Sequence, residues 1–200
     1  MFITLEGGEG CGKSTHAQFI KKYLEKKGET VLLTREPGGT PIGKVIRTLI
    51  LENKEIGSDA ELLLILADRL EHMAKVIQPA LADGKIVVSD RFSDSTLAYQ
   101  VGGRGIKKEK VDQLIKILNL NFSPDCTFLF DLDPIEGLKR VKSTRAKMTV
   151  FEEEEISFHE KVRQAFLDLA QGNKRFHVVS TSGSIPQTQE EIARILDALI

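Results

Sequence analysis

A glycine-rich segment near the start of the chain has the residue types and spacing of a phosphate-binding loop. It reads Gly-Gly-Glu-Gly-Cys-Gly-Lys-Ser from Gly7 to Ser14 and fits the pattern G-x-x-x-x-G-K-[ST]. The glycines allow successive backbone N–H groups to point at one anion, and a helix that begins directly after the loop adds partial positive charge. Lys13 can reach the outer phosphates, and the Ser14 hydroxyl can ligate Mg²⁺. The segment predicts a site for a nucleoside triphosphate and magnesium.

The loop alone does not say how the nucleotide is used, and three classes of protein are compatible with it. A GTP-hydrolysing switch usually carries the guanine-reading pattern N-K-x-D. The nearest string, Asn-Lys-Glu-Ile at residues 53–56, differs from that pattern in sequence and in position. An ATP-driven scaffold would need partner surfaces that the sequence does not reveal, whereas a small-molecule kinase would need a second anion site facing the loop.

Three arginines are expected at the edge of the sheet that carries the loop. Arg35 follows the second predicted strand, Asp90 and Arg91 end the third, and Arg47 lies on the helix after Thr40. The carboxyl ends of parallel strands meet at one edge, where ligands of such folds bind. There Asp90 can hold Mg²⁺ directly or through water, and Arg91 can clamp a phosphate with two hydrogen bonds. A lone Asp-Arg pair would more often be a local salt bridge, but three arginines beside a phosphate loop favour a second anion site. A second anion site in turn favours the kinase class.

The elements that must position these residues alternate along the chain between short β-rich runs and longer helical patterns. This alternation predicts an α/β fold with a parallel sheet and helices on both faces. The predicted strands are residues 2–5, 30–33, 86–88, 126–130 and 176–179. Predicted helices begin near Lys13, at Pro41 and at Ser58, and later helices span residues 107–118, 134–141, 151–170 and 186–199.

Two of these helices carry apolar patterns. In the helix after Thr40, a stripe at helical spacing leaves Arg47 to one side and comprises Ile42, Val45, Ile46, Leu49 and Ile50. Ser58 and Glu61 match a capping box at the start of the next helix, which continues through an apolar run at residues 62–66. That run indicates burial within the monomer or against a second subunit, and the pattern favours the first.

One charged run is also expected to be helical. The four glutamates at residues 152–155 are predicted in the first turn of the helix at 151–170. Negative charge at a helix N-terminus suits the helix dipole, so the run needs no functional explanation.

The composition bounds the class of protein. With 200 residues, of which 41% are hydrophobic and 28% charged, the chain predicts one domain, residues 1–200. The formal net charge of −1 provides no field for nucleic acid or an anionic membrane surface, so neither is an expected partner. Two cysteines, Cys11 and Cys126, suit a reducing compartment, and the sequence predicts no targeting or spanning segment. Together these features predict a cytoplasmic location.

Beyond the loop, the sequence resembles bacterial thymidylate kinases of the nucleoside-monophosphate kinase group nearly from end to end. The motifs that carry the resemblance are the loop with Glu9 inside it, Asp68-Arg69, Asp90-Arg91, and three strings. The strings are Thr-Arg-Glu-Pro-Gly-Gly-Thr at 34–40, Ser-Thr-Leu-Ala-Tyr-Gln at 95–100 and Gly-Gly-Arg-Gly at 102–105. The first string is far more specific than the loop.

The resemblance implies a three-layer P-loop fold with a five-stranded parallel sheet and a short lid at about residues 141–152. It also implies the reaction. The γ-phosphoryl group of ATP would pass to dTMP in the presence of Mg²⁺ and give dTDP for dTTP biosynthesis. Members of the family are usually homodimers, so a homodimer is expected.

The resemblance further implies roles for individual residues. The nucleotide site comprises Gly7, Gly8, Glu9, Gly10, Cys11, Gly12, Lys13, Ser14, Thr15 and, against adenine, Arg140. Glu9 also approaches the 3′-hydroxyl of the acceptor sugar, and the acceptor phosphate is gripped by Arg35, Arg47 and Arg91. The remaining acceptor residues are Arg69, Thr96 and Gln100 at the thymine edge, Tyr99 near the sugar, and Ser95. Periodicity alone favours ordinary helix packing for Thr96 and Tyr99, and only the resemblance changes that interpretation.

The chain departs from the family pattern in two places. Ile65 replaces the phenylalanine that stacks on thymine in most relatives, and Phe92 is a neighbour that could supply a ring. Residues 149–152 read Thr-Val-Phe-Glu where relatives often have Asp-Arg-Phe-Glu, so the usual lid arginine is missing. Gly10 and Cys11 occupy the loop positions in which some relatives carry arginine. A further catalytic cation beside Lys13 and Arg91 must therefore come from elsewhere.

We expect Arg145 to supply this cation from the lid, with Lys147 as the alternative. A positive charge added at the transition state can be worth about a thousandfold in rate. Cys11, near a helix N-terminus, is compatible with a redox-sensitive thiol. The favoured interpretation is a small residue that fills a loop position.

Overall fold

The computed structural model describes residues 1–144 and 148–200, and this part of the chain forms one α/β structure around a parallel sheet. The strands are β1 (Phe2–Glu6), β2 (Val31–Arg35), β3 (Ile86–Asp90), β4 (Cys126–Asp131) and β5 (Phe176–Ser180). Their order across the sheet is β2-β3-β1-β4-β5, and every neighbouring pair is parallel. The predicted fold class is confirmed. Each strand extends farther toward its carboxyl end than predicted.

Helices connect the strands on both faces of the sheet. They are α1 (Lys13–Lys26), α2 (Pro41–Glu52), α3 (Ser58–His72), α4 (Gln78–Ala82), α5 (Ser93–Thr96), α6 (Lys108–Ile117), α7 (Pro134–Thr144), α8 (Ile156–Ala170) and α9 (Ile185–Leu199). A π-helical turn at Met73–Ile77 joins α3 to α4, and another at Leu97–Gly103 extends α5. In the described residues, no helix is both long and apolar enough to cross a membrane.

The central strand β1 is buried at every position, and its apolar residues therefore lie on both faces of the sheet. Ile3 and Leu5 pack toward the face covered by α1 and α9. Phe2 points to the opposite face and packs in the core with Leu62 and Leu66 of α3. The register pairs Leu5 and Arg35 with Asp90, so the carboxyl ends of β1, β2 and β3 meet at one edge.

The predicted capping box at the start of α3 is wrong. Gly57 occupies the N-cap position, and Ser58 is the first residue of the helix. The Glu61 side chain is buried instead and accepts hydrogen bonds from Gln100 and Arg104. A buried carboxylate is stabilised more by these charged and amide donors than by a backbone N–H at an exposed helix end.

The position of the acidic run was also predicted wrongly. A short 3₁₀ turn spans Phe151–Glu153, and α8 begins only at Ile156. Glu152 is 3% exposed and accepts a hydrogen bond from the backbone N–H of Thr149. The glutamates therefore lie before the helix, where at least one of them shapes the preceding turn.

The apolar patterns of α2 and α3 are only partly used by the core. Ile50 is buried, whereas Val45 is 69% exposed and Leu49 is 44% exposed. On α3, Leu62 and Leu66 are buried, but Leu63 is 53% exposed, so the prediction of burial within the monomer is wrong at this position. The two helices pack against each other and leave these apolar side chains on their outer side.

Candidate active site

The phosphate loop connects β1 to α1, as predicted. Gly12 turns the chain from the loop into α1 with a φ of 86°. The first N–H groups of α1 have no intrahelical partner, so they are available to bind an anion. The Lys13 side chain folds into the loop, where Nζ lies 3.0 Å from Gly7 O and 2.6 Å from Gly8 O. Cys11 is 1% exposed and packs in the core under α1. Its burial supports the packing interpretation over the redox one.

Gly137 on α7 closes over the phosphate loop, although it was not predicted as a site residue. A Cβ atom at Gly10, whose φ is +70°, would lie 2.1 Å from the carbonyl oxygen of Gly137. A Cβ atom at Gly137 would lie 2.2 Å from the carbonyl oxygen of Glu9. The close approach of loop and helix therefore requires glycine on both sides. A lone glycine within a helical pattern was the available sequence signal, and it was not used.

Ser14 and Asp90, the predicted metal ligands, lie side by side at the edge of the sheet. The Ser14 hydroxyl donates to the Asp90 carboxylate over 3.1 Å. These hard oxygen donors suit Mg²⁺, which usually takes its other ligands from water and substrate phosphates. Within residues 1–144 and 148–200, no group of three or more His, Cys, Asp or Glu side chains could hold a metal ion. The donor set fits a magnesium ion whose coordination is completed by a nucleotide.

Arg91 lies where the phosphate loop, β3 and α5 meet. Its φ is 72°, in the left-handed region that residues other than glycine rarely adopt. The guanidinium donates to Gly7 O over 3.0 Å, to Ser95 Oγ over 3.2 Å and to Glu9 Oε1 over 2.7 Å. It also lies over the ring of Tyr99, 4.8 Å from the centroid. An unusual backbone conformation held by so many contacts indicates a functional side chain.

Glu9 is held as an anion beside this cation. Burial raises its pKa, but the charges of Arg91 and Lys13 and a hydrogen bond from Tyr99 lower it to about 2. The Tyr99 hydroxyl donates to Glu9 Oε1 over 2.7 Å. Burial and the neighbouring Glu9 charge hold the pKa of Tyr99 well above 10, so its hydroxyl remains a donor. The site therefore keeps a fixed carboxylate next to a fixed guanidinium.

The three predicted arginines line one cavity. Arg35, Arg47 and Arg91 border a space of about 900 Å³ that is also lined by Lys13 and Ser14. Arg47 donates to the carbonyl oxygen of Pro37 over 3.0 Å. Burial and the positive charges of Arg35 and Arg91 lower the pKa of Arg47 to about 10. Positive charges this close together repel one another, and an anion bound between them would offset that repulsion. The cluster therefore indicates an anion site.

A second cavity, of about 700 Å³, adjoins the first. Glu9, Glu36, Arg47 and Arg91 line both cavities. All predicted acceptor residues except Arg35 line the second, which adds Arg69, Ser95, Thr96, Tyr99 and Gln100. Two ligands bound in these cavities would therefore meet at Arg91 and Glu9.

Arg69 is buried in the wall of the second cavity with one donor unused. Its Nε donates to Glu36 over 2.8 Å, and Nη2 donates to Phe92 O over 3.0 Å and to Thr96 Oγ1 over 2.9 Å. Nη1 is buried and has no hydrogen-bond partner among the described residues. A buried unpaired N–H of a guanidinium is costly. One N–H donor group of Arg69 is therefore unpaired in the wall of this cavity.

Gln100 is 1% exposed and also lines this cavity. Its amide nitrogen donates to Glu61 Oε1 over 2.9 Å. Arg104 holds the same carboxylate through Nε over 3.3 Å and through Nη2 over 3.2 Å. Arg104 also pairs with Glu154, beyond the predicted lid. From the sequence, Glu61 was expected only to cap a helix, and Arg104 had no assigned role beyond its place in the string at residues 102–105.

Aromatic rings border the cavity near Ile65. The ring of Phe92 is fully buried, edge-on to Phe2 at 4.9 Å and beneath Arg69 at 5.1 Å. Phe151 also lines the cavity, with its ring perpendicular to that of Tyr99 at 5.5 Å. Phe92 lines the cavity wall but has no exposed ring surface, so its role as a substitute ring stays a prediction, and Phe151 provides a further aromatic surface that the sequence did not single out.

The segment at residues 34–40 is held from α3. The Asp68 carboxylate accepts from the backbone N–H of Gly38 over 3.1 Å, and His72 lies 2.9 Å from Glu36. Burial and the charge of Glu36 raise the pKa of Asp68 to about 6. These contacts fix the stretch of backbone that carries Arg35 and the Pro37 carbonyl oxygen.

Glu6 at the end of β1 holds Phe92 and Ser95, which lie next to Arg91, and was missed at the sequence level. It is completely buried and accepts from Phe92 N over 2.8 Å and from Ser95 Oγ over 2.6 Å. Burial and the charge of Asp94 raise its pKa to about 8. A carboxylate at the end of a mostly apolar strand is the signal that was available.

The remaining predicted residues lie around the phosphate side or outside the described chain. Thr15 and Arg140 line the larger cavity, and Arg140 pairs with Glu136 one turn away on α7. Arg145 and Lys147, the predicted lid cations, lie outside the described residues.

A parallel sheet with this loop after its first strand, and a second cavity that meets the loop at an arginine cluster, defines a P-loop phosphotransferase. The sequence model described as Thymidylate kinase matches residues 5–192. The chain therefore belongs to the thymidylate kinase family.

Known relatives agree over the whole length. The chain is 46% identical to a thymidylate kinase of Thiobacillus denitrificans, over 99% of this chain and 97% of the relative. It is 44% identical to a thymidylate kinase of Nitrosomonas europaea, over 98% of this chain and 92% of that one. A crystal structure of thymidylate kinase from Ehrlichia chaffeensis superposes with a TM-score of 0.80, at 35% identity and with 98% of each chain covered.

Proposed function

We propose that this protein phosphorylates dTMP to dTDP with ATP and Mg²⁺. The observation that carries the proposal is the junction of the two cavities, which Glu9, Arg47 and Arg91 line on both sides. Phosphoryl transfer needs donor and acceptor to be aligned at one point where positive charge neutralises the transferring group. Membership of the thymidylate kinase family supports dTMP as the acceptor.

The donor nucleotide binds on the loop side in this proposal. The backbone N–H groups of the loop and the N-terminus of α1 hold its phosphates, and Lys13 reaches the outer ones. Ser14 and Asp90 hold Mg²⁺, which neutralises phosphate charge when bound. Arg140, which lines the same cavity, lies against the adenine ring.

The acceptor phosphate is gripped by the arginine cluster. Arg35, Arg47 and Arg91 offer several N–H donors around one cavity, and their mutual repulsion is relieved when a dianion binds. Glu9 accepts from the 3′-hydroxyl of the sugar. Tyr99, which Glu9 holds through its hydroxyl, packs near C2′ and disfavours a 2′-hydroxyl.

The base is recognised at the far end of the second cavity. The free Nη1 of Arg69 donates to thymine O4, and Gln100 and Thr96 border the adjoining edge. A pocket with fixed hydrogen-bonding groups rejects the wrong base because some buried group is then left unpaired. Phe92 and Phe151 line the cavity beside Ile65.

An ADP-release assay with dTMP, dUMP, dCMP, AMP and GMP tests the proposal. We expect the highest kcat/KM with dTMP and a loss of turnover when Mg²⁺ is removed. Preference for another monophosphate would replace the proposal by a nucleoside-monophosphate kinase of different base specificity. If none of the five monophosphates is phosphorylated, an ATP-binding scaffold would remain as the interpretation.

Catalysis needs one more cation in this proposal, because the loop has no arginine and residues 149–152 lack the usual one. We assign this role to Arg145, with Lys147 as the alternative. Both follow α7, whose residues Arg140 and Thr144 line the phosphate side. The proposed lid, residues 141–152, would carry the cation to the transferring group and exclude water.

We further propose a homodimer that covers the outer side of α2 and α3. Ile42, Val45 and Leu49 lie at helical spacing on α2 and are 53%, 69% and 44% exposed, and Leu63 of α3 is 53% exposed. Apolar side chains grouped in this way on adjacent helices are typical of interfaces. Sedimentation velocity is expected to give a dimer for the wild type and a monomer for Val45→Glu, with Lys22→Glu on α1 as a control. A wild-type monomer at working concentrations would contradict the dimer.

The proposed location is the cytoplasm. Cys11 and Cys126 are both free and buried, as suits a reducing compartment. Recovery of the protein in an exported fraction of its own cells would contradict this location.

A further inference from the structure

The amide of Gln100 has a fixed orientation in the second cavity. Its nitrogen lies 2.9 Å from Glu61 Oε1. A carboxylate only accepts hydrogen bonds, so the amide must turn its nitrogen toward Glu61 and its oxygen away from it. No hydrogen bond to that oxygen is found within the described residues, and Gln100 lines the cavity. The side chain therefore presents an acceptor to whatever occupies the cavity.

Glu61 is itself held in place. It is 4% exposed, and Arg104 donates to both of its oxygens. The Arg104 guanidinium is fixed in turn by the rings of Phe158 and Phe151, at 4.8 Å and 5.3 Å from their centroids, and by its pairing with Glu154. A buried charge pair whose partners are this well satisfied holds one geometry and resists rearrangement.

The orientation of the Gln100 amide matters because thymine and cytosine differ in their hydrogen-bonding groups at N3 and C4. Thymine carries an N–H at N3 beside the acceptor O4, whereas cytosine carries an acceptor at N3 beside a donor amino group. Arg69 contributes a free donor and Gln100 a fixed acceptor to the cavity, which match the thymine pair and oppose the cytosine pair. A flipped Gln100 amide would present a donor in place of the acceptor, and this donor would match N3 of cytosine instead of N3–H of thymine.

We propose that Glu61 is a positioning residue for base specificity, which with Arg104 fixes the Gln100 amide so that its oxygen faces the N3–H of the base. This inference rests on the proposed function. Neither residue touches the base in this proposal, and both act through Gln100. Selectivity between thymine and cytosine is therefore determined partly by a carboxylate on α3 that lies behind the pocket.

The test uses Glu61→Gln, because glutamine is close in shape and can either donate or accept. Calorimetry with dTMP and with dCMP gives the ratio of their dissociation constants independently of turnover. In Glu61→Gln we expect dTMP to bind about ten to one hundred times more weakly, since a buried hydrogen-bonding group left unpaired lowers affinity by roughly that factor. Binding of dCMP should not weaken, so the selectivity ratio falls at least about tenfold. In kinetics the loss should appear in KM for dTMP more than in kcat.

A second mutation separates positioning from general stability. If Glu61 acts through Gln100, then Glu61→Gln should change the selectivity ratio in the wild type but not in a Gln100→Ala background. Glu71→Gln is the matched control on the same helix, since Glu71 pairs with Lys75 at the surface, and it should leave the ratio unchanged. Arg104→Lys keeps the positive charge but loses the paired N–H donors of the guanidinium. We therefore expect a smaller fall in the selectivity ratio than in Glu61→Gln.

Equal selectivity ratios in Glu61→Gln and wild type would overturn the inference, as would additive effects of Glu61→Gln and Gln100→Ala. If Glu61→Gln does not fold, an unchanged ratio in Arg104→Lys would overturn it instead. A wild type that binds dTMP selectively without phosphorylating it would refute the proposed reaction and leave this inference testable by the same calorimetry.

Discussion

Nη2 of Arg91 lies 2.7 Å from Oε1 of Glu9, and this ion pair joins the end of β3 to the phosphate loop. The two side chains are only 16% and 19% exposed, so solvent screens their attraction weakly. They border both cavities. The pair therefore fixes a cation at the point where donor and acceptor phosphates would meet.

Removing the cation should lower the rate of transfer. We expect Arg91→Ala to reduce kcat with dTMP by about a hundredfold or more, because loss of one donor at a developing charge has costs of this size. Glu9→Gln should reduce kcat less, since it leaves Arg91 in place but held by a neutral partner. Steady-state kinetics of both variants and the double variant should show non-additive effects, with exposed Arg194→Ala as the control. Additive losses would show that the two residues act separately.

The contact between the phosphate loop and Gly137 predicts a sensitive position that carries no charge of its own. Gly137→Ala would place a methyl group against the Glu9 carbonyl oxygen and push the loop from α7. We expect KM for ATP to rise at least about tenfold, since phosphate binding depends on aligned loop N–H groups. The variant Ser143→Ala, an exposed position on the same helix, should behave as wild type. Normal ATP affinity in Gly137→Ala would show that the loop tolerates displacement.

The metal site predicts a separable effect on Mg²⁺. Asp90→Asn removes the charge of one proposed ligand, so the Mg²⁺ concentration for half-maximal activity should rise about tenfold or more. Ser14→Ala should shift the same midpoint. Asp83→Asn, at an exposed turn before β3, serves as the control. An unchanged midpoint in Asp90→Asn would exclude this carboxylate from metal binding.

Burial of Glu6 predicts a pH dependence of stability. Its pKa is about 8 in the fold against an ordinary 4.5, so between these values the folded state binds more protons than the unfolded state. The free energy of unfolding should therefore fall as pH rises from about 5 to 8, by at most about 1.4 kcal/mol per pH unit from this group.

Glu6→Gln cannot titrate and should flatten that fall. Urea unfolding at several pH values measures the slope, and exposed Glu25→Gln should keep the wild-type slope. An identical slope in Glu6→Gln would mean that Glu6 titrates normally in the folded protein.

The lid cation is tested by kinetics on Arg145→Ala. A loss in kcat of about a hundredfold or more, with little change in KM for either substrate, is expected of a residue that acts only in the transition state. An unchanged kcat would refute the assignment, and a loss confined to Lys147→Ala would move the role to that residue. Lys142→Ala on α7 is a neighbouring charge control.

Local patterns predicted the phosphate loop and the strands because each depends on short sequence spacing, whereas the arginine cluster was expected because parallel strands end at one edge. Ser14 and Asp90 were expected together because parallel strands must end at one edge, and the register of β1 with β3 confirms this. Local patterns for the start of a helix misplaced Glu61 and the acidic run at 152–155. A capping pattern looks the same whether the acid bonds its own helix or a distant guanidinium, so local sequence could not distinguish the two.

By itself, the sequence determined a site for a nucleoside triphosphate, because a loop, a lysine and a hydroxyl at this spacing have few other uses. It also placed Arg35, Arg47 and Arg91 near that loop. Only the tertiary structure decided which residues support the site. Gly137 packs against Gly10, Glu6 accepts from the Ser95 hydroxyl that Arg91 also contacts, and Glu61 accepts from the Gln100 amide. The physical reason is that hydrogen-bond orientation and backbone approach depend on atoms far apart in the chain, whose distances no local pattern encodes.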